Sequence, residues 1–502
     1  MAIDKIIGVE TEYGIIVRGT PESNPIAASS VLINAYVNEL AGTEATAAAR
    51  VGWDFEDESP GNDARGLPPE GTMAPEVETH LVNVVLTNGA RYYVDHAHPE
   101  LSTPECGDAR AIVRFDRSAE LILQRSMDAA RRLLPPGQEI VVYKNNSDGK
   151  GNSYGTHENY LMDRAVPFPR IVQHITPHFI TRQIFCGAGK VGSEAPGLTT
   201  KEVPFQLSQR ADFFEEEVGL ETTLKRPIVN TRDEPHADAQ RYRRLHVIIG
   251  DANLSEVATF LKVGTTAIVL AMIEDDALPR DLRFARPVPT LRQVSYDLTL
   301  SKAFELEDGS TITALDVQWE LLDRARKYAE SEGLAVVGED VGAEVLRRWE
   351  EVLTGLETDP MSLAGRLDWV AKYRLLNAYR DRDGMDWNDA RLAAMDLQYH
   401  DLRPEKSLFT RLDMERIIDD DEIESGVTEP PEDTRAYFRG TCLAKFADAI
   451  VAANWDSMVF DVGTDPLRRV PMMEPGRGSK AHVGTLLAES KTAAELLDRL
   501  GS

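Results

Sequence analysis

Two carboxylates stand inside an otherwise apolar, β-branched run near the N-terminus, Lys5-Ile-Ile-Gly-Val-Glu10-Thr-Glu12-Tyr-Gly-Ile-Ile-Val17. Such a run reads as a strand. Side chains alternate across a strand, so Glu10 and Glu12 project from one face. Two like charges side by side repel, and the face that carries them needs solvent, arginine partners or a hard divalent ion such as Mg2+, which takes oxygen ligands.

A second run repeats the pattern. Leu81–Thr87 is strand-like, Asn88-Gly89 is a strong hairpin signal, and Arg91–Asp95 forms the return strand with Arg91, Tyr93 and Asp95 on one face. His96-Ala-His98-Pro-Glu100 follows directly. These few residues hold an arginine suited to phosphate, a carboxylate able to act as base or nucleophile, and a further carboxylate ligand. Satisfied polar groups in a loop would look the same. Gly155-Thr-His157 brings a histidine into a strand from a glycine-containing loop, a position open to a ligand or to a structural histidine. Between residues 225 and 246, six Lys/Arg stand against three Asp/Glu, with Arg232, Arg244 and His246 among them. That is a local positive patch suited to nucleotide phosphates or a carboxylate. Gly187-Ala-Gly189-Lys190 lacks the first glycine and the hydroxyl of a P-loop. Asn253-Leu-Ser-Glu256 reads as a helix N-cap.

Strands are expected at Glu139–Lys144, at HENYLM, twice within 184–230 and at His246–Ile249. Helices are expected at 26–41, 107–134, 254–275, 315–332, 341–357, 361–379, 435–453 and 483–500. Gly42 to His80 carries nine acidic side chains against two basic ones and several prolines, and reads as a mobile acidic insertion. Asp419–Glu424 with Pro430-Pro431 reads as a linker. The expected class is α+β, an antiparallel sheet backed by helices, with a catalytic domain over 1–428 and a small C-terminal domain over 429–502.

Charge narrows the function classes. The 502 residues carry 55 Lys+Arg against 83 Asp+Glu, a formal charge of −28, which argues against a general nucleic-acid binder. The three cysteines, Cys106, Cys186 and Cys442, are too few and too scattered for a disulfide framework and fit a reducing, cytoplasmic setting. No apolar run is expected to approach the ~18 residues of a membrane span, and the N-terminus has no signal-peptide pattern.

Taken together, GVETEYG, NGARYYVDHAHPE, STPEC, KNNSDGKGNSYGTHENYL, GAGKV, NTRDEPHADAQRYRRLHVIIGDANLSE and NWDSMVFD resemble the Pup ligase/depupylase family over nearly the whole chain and in the family's order. The resemblance implies a fold similar to glutamine synthetase and other carboxylate–amine ligases, a curved antiparallel sheet that cradles ATP and Mg2+. It implies one of two activities on Pup, a small prokaryotic ubiquitin-like protein. One enzyme joins the C-terminal glutamate of Pup to a substrate lysine. The other hydrolyses the side-chain amide of a C-terminal glutamine of Pup and cleaves the Pup–lysine isopeptide bond. The acidic insertion and the form VDHAHPE resemble the deamidase and depupylase. The ligase, or a small-molecule carboxylate–amine ligase, is the alternative.

Carried over by position, the resemblance implies that Asp95 is the essential aspartate, as nucleophile or as general base. It implies magnesium ligands at Glu10 and Glu100 and a metal-contacting position at Tyr93. His157 and His246 fall where related folds have metal or nucleotide ligands, and Glu12 joins the metal group by strand geometry. Nucleotide contacts are implied at Arg91, Thr103 and Trp455, with Ser102 beside them, and Arg232 and Arg244 are expected to join them from the positive patch. Pup and pupylated proteins are the implied partners, with a functional link to the proteasome.

Overall fold

Strand alternation organises the chain. In the computed structural model, which describes residues 1–20, 24–40, 51–56, 58–59, 61–66 and 81–501, ten strands join in one sheet. In chain order they are β1 (Ile7–Glu12), β2 (Gly52–Trp53), β3 (Asn83–Val85), β4 (Arg91–Asp95), β5 (His98–Ser102), β6 (Thr156–Asp163), β7 (Tyr242–Val247), β8 (Ile450–Ala453), β9 (Ser457–Phe460) and β10 (Arg468–Pro471). Across the sheet the order is β7-β6-β1-β5-β4-β3-β2-β8-β9-β10. Neighbours run antiparallel except β2 and β8, which are parallel. The β3–β4 hairpin closes at Asn88-Gly89 as expected: Leu86 N–H donates to Ala90 O at 2.8 Å, and Gly89 takes a φ of +85°.

One face of the sheet is apolar. Ile7 and Val9 of β1, Tyr160 and Met162 of β6, and Leu245 and Val247 of β7 share a core with two helices, α2 (Ala109–Leu133) and α3 (Glu256–Glu274). A shorter helix, α1 (Pro25–Leu40), packs with β4 residues Tyr92 and Val94 in a second cluster. Every residue of α3 is buried. Among the described residues it is the one helix whose length and apolarity would suffice to cross a membrane, a property the expectation of no such run overlooked. Here that apolar surface fills the protein core. Its cap lies two residues later than expected: Ser255 Oγ accepts from Ala258 N–H, while the Asn253 amide donates to Cys186 O and to Asp368.

Three expectations need correction. The stretch at 419–424, read as a linker, is a short helix, α4 (Asp420–Gly426). Asp419 and Glu422 close a reciprocal capping box, and Glu422 pairs with Arg110 of α2. The helix expected over 435–453 ends as α5 (Ala436–Phe446), and Ile450–Ala453 returns as β8. The insertion at 42–80 lies partly outside the described residues, and its described middle is built into the protein. Trp53 forms part of β2, and Ala64 N–H donates to Thr231 O at 2.8 Å. Asp233 N–H donates to Asn62 O at 2.9 Å, and Ser59 N–H donates to Glu234. Val51 and Trp53 are buried in an apolar cluster with Phe438, Leu443, Phe460 and Leu496. Residues after 429 thus extend the same sheet and share this cluster with β2 and β3.

Candidate functional site

Register brings the polar residues into rows. Across β4, β5, β1 and β6, Arg91 faces Ser102, Ser102 faces Glu10, and Glu10 faces His157. One pleat along, Tyr93 faces Glu100 and Glu100 faces Glu12. Asn159 of β6 faces His246 of β7. These positions alternate with the core residues named above, so they share the face turned away from α2 and α3.

Glu10, His157 and His246 form one donor set whose ligand atoms lie within 4.8 Å of one another. Glu10 Oε1 is 3.3 Å from His157 Nδ1 and 3.6 Å from His246 Nδ1. Burial alone would push the Glu10 carboxyl up, but the His157 hydrogen bond and the positive charge of Arg244 beside it hold it well below the usual carboxylate range. Burial, then the neighbouring Arg244, drives the His246 imidazole well below its ordinary value, so it stays neutral, the form that ligates metal. Asn159 Oδ1 accepts from Arg244 at 2.9 Å and lies 3.0 Å from His246 Nδ1, while His246 Nε2 is buried without a hydrogen-bond partner.

Glu12, Asp95 and Glu100 form the second set. Glu12 accepts from Gly155 N–H at 3.0 Å. Its pKa is about 2: burial opposes the drop, and His98, His157 and Arg210 outweigh it. Glu100 moves the other way, well above its ordinary value, because it is buried and faces Asp95, Glu10 and Glu12. A divalent cation relieves that repulsion, and the buried carboxylate and imidazole donors fit one. Tyr93 donates to Glu100 Oε1 at 2.6 Å, so its hydroxyl acts on the group through Glu100. Exposure separates the carboxylates. The side chain of Glu12 is 13% exposed and Glu100 is buried, whereas the side chain of Asp95, at the end of β4, is 38% exposed.

Beside these rows opens a cleft that communicates with solvent. Glu10, Ser102, Thr103, Arg244, Arg435 and Trp455 are among its walls. Thr103 is fixed by bonds in both directions with the Val9 backbone. Arg91 lies between the Trp53 and Tyr93 rings, 4.0 Å from each centroid, and donates to Asn83 at 3.0 Å. Trp53 meets Trp455 edge-on at 5.1 Å. Arg232 is not among the cleft walls, although its charge reaches Arg244 and His246 and its Nε is buried without a partner.

The site contains residues that reading the sequence alone missed. His98 stands 3.5 Å from Glu12 and stacks on Tyr154, and the period-2 run His98, Glu100, Ser102 carried that signal. Arg210 is fully buried near Glu12, and burial together with Arg226 lowers its pKa to about 10. No local pattern marks it. Trp53 was concealed by the acidity of its surroundings.

Comparison with known proteins bears on the family of the chain. The family described as Pup-ligase protein matches residues 5–459. The depupylase of Acidothermus cellulolyticus is 53% identical over 508 residues, 99% of each chain, and the Pup deamidase/depupylase of Mycobacterium tuberculosis is 48% identical over 515 residues, again 99% of each. The Pup–protein ligase of Nakamurella multipartita is 40% identical over 81% of this chain and 90% of its own. Among solved structures, the complex of Pup with its ligase PafA superposes with a TM-score of 0.80 at 30% identity, covering 99% of this chain and 94% of that one. PafA in complex with ADP gives 0.72 at 35% identity, covering 81% and 89%. With relatives matching end to end at about half of all positions, the chain belongs to the Pup-ligase protein family.

Proposed function

We propose that this enzyme hydrolyses the side-chain amide of the C-terminal glutamine of Pup and the isopeptide bond between Pup and a substrate lysine, with Mg-ATP bound as cofactor. The observation that carries the reading is the division among clustered carboxylates: Glu12 and Glu100 are withdrawn from solvent, and Asp95 beside them is open to an incoming chain. Both reactions break the same kind of bond and differ only in the departing amine. The full-length match to proteins named depupylase and Pup deamidase/depupylase supports hydrolysis over ligation, since identity to them is 53% and 48% against 40% to the Pup–protein ligase.

Glu10, Glu12, Glu100, His157 and His246 would hold magnesium, which supplies positive charge that polarises the amide carbonyl and stabilises the developing oxyanion. Asp95 opens the amide either by direct attack, giving a mixed anhydride that water then hydrolyses, or by taking a proton from the attacking water; in both cases the departing amine leaves protonated. Tyr93 keeps Glu100 oriented through its hydroxyl. Ser102, Thr103, Arg244 and Trp455 line the cleft for the nucleotide, and Arg91 and Arg232, which are not among its walls, bring positive charge to the wall residues His236 and Arg244. Water is the only co-reactant consumed, so bound ATP acts as an organising cofactor. Pupylated proteins are the physiological substrates in this reading, upstream of or in competition with the proteasome in the cytoplasm.

Intact-mass measurement on Pup ending in glutamine, with ATP and Mg2+, tests this reading. The expected product is the acid, and a Pup-tagged protein should release free Pup. Asp95→Asn should lose both activities while still binding ATP. Unchanged Pup, together with ligation of Pup ending in glutamate, would assign the ligase instead.

A further inference from the structure

The turn that ends β4 carries a feature that the metal and nucleotide sites do not account for. His96 and Ala97 form the two-residue connection between β4 and β5, and His96 has a φ of +51°. Positive φ at the first position of such a turn favours glycine and is uncommon for residues with a side chain, histidine being among the few that adopt it more often. The turn is pinned from below, because Ser29 of α1 donates to Ala97 O at 3.0 Å. Burial does not offset the strain, since the His96 side chain is 69% exposed. An exposed pair of this kind contributes little to stability. What the conformation achieves is local: His96 Nδ1 lies 2.8 Å from Asp95 Oδ2. A carboxylate only accepts, so Nδ1 carries the hydrogen and donates.

We propose that His96 is a positioning residue, whose Nδ1–H holds the Asp95 carboxylate in the orientation from which it acts on the amide. Asp95 stands beside Glu12 and Glu100, with ligand atoms within 4.8 Å of one another. A donor to its Oδ2 restricts the rotation of the Asp95 carboxylate against that group. Strain held at a pinned turn is then part of the site's preorganisation. The inference rests on the hydrolase reading above.

Two substitutions separate chemistry from backbone conformation. His96→Gly relieves the left-handed backbone and removes the donor. His96→Asn tolerates that backbone and keeps a side-chain donor. With Pup ending in glutamine as substrate, His96→Gly should lower kcat by about ten-fold or more while KM stays within about two-fold, and His96→Asn should recover most of the loss. ATP binding by both variants should match the parent and so report intact folding. An active parent with an equally active His96→Gly, or with both variants equally impaired, overturns the inference and leaves the hydrolase reading standing. A parent chain that does not deamidate removes that reading, and this inference falls with it.

Discussion

Replacing Glu105 by glutamine tests how the cleft is held together. Glu105 accepts from Arg435 Nε at 2.7 Å and from Arg439 Nη1 at 3.2 Å, with Arg439 Nη2 also bonded to it. Both arginines are buried, at 3% and 0% exposure. Arg435 also donates to His236 O and Met472 O, and Arg439 to Gly89 O and Trp455 O, so this one carboxylate neutralises the joint between the two ends of the sheet. Burial alone would raise its pKa, yet Arg439 and Arg435 hold it at about 2 against an ordinary 4.5. A depressed carboxyl pKa contributes stability that is present above pH 4.5 and lost as pH falls towards 2, worth about 3 kcal/mol at neutral pH. Glu105→Gln keeps the shape but removes the carboxylate that is hydrogen-bonded to two buried guanidiniums, a loss of about 3–5 kcal/mol. Urea unfolding followed by tryptophan fluorescence at pH 7 should show a loss of that order, and the gap between variant and parent should close as the pH approaches 2. A variant within about 1 kcal/mol of the parent at pH 7, or a gap that does not change with pH, would refute the reasoning.

Other perturbations address the site itself. Gly155→Ala would put a Cβ in contact with His157 Nε2, displacing the imidazole from Glu10. Calorimetric Mg2+ titration should show about ten-fold weaker binding. Trp53→Ala removes one of the two rings that sandwich Arg91. A cation–π contact of about 1 kcal/mol predicts ATP binding about five-fold weaker, read by equilibrium titration, and unchanged affinity would separate this part of the insertion from the nucleotide. Phe260→Ala, in the wholly buried α3, should cost about 3–5 kcal/mol in the same urea assay.

What the sequence made legible followed the period of its structure. Glu10 with Glu12, and Arg91 with Tyr93 and Asp95, fall on one face because strand alternation fixes it locally. The rows joining Glu10 to His157, and Asn159 to His246, depend on pairing between strands far apart in sequence, which no local pattern encodes. There the family resemblance supplied the histidines. The helix at 420–426 was recoverable, since Asp419 and Glu422 have capping-box spacing, but the density of acids and the nearby prolines suggested a linker. The ordered middle of the acidic insertion was hidden for a similar reason. Its order comes from Trp53, which is buried against a cluster contributed largely by residues some 400 positions later. Arg210 and Arg435 are held at the site by tertiary structure alone.

The central claim is that one polar sheet face gathers two donor sets around divalent cations beside a nucleotide cleft, leaving Asp95 accessible. Anomalous scattering from crystals grown with Mn2+ and ATP tests it most directly. The account predicts manganese peaks bounded by Glu10, His157 and His246 and by Glu12 and Glu100, with the nucleotide against Ser102, Thr103 and Trp455. Bound nucleotide with no manganese at either donor set would contradict it.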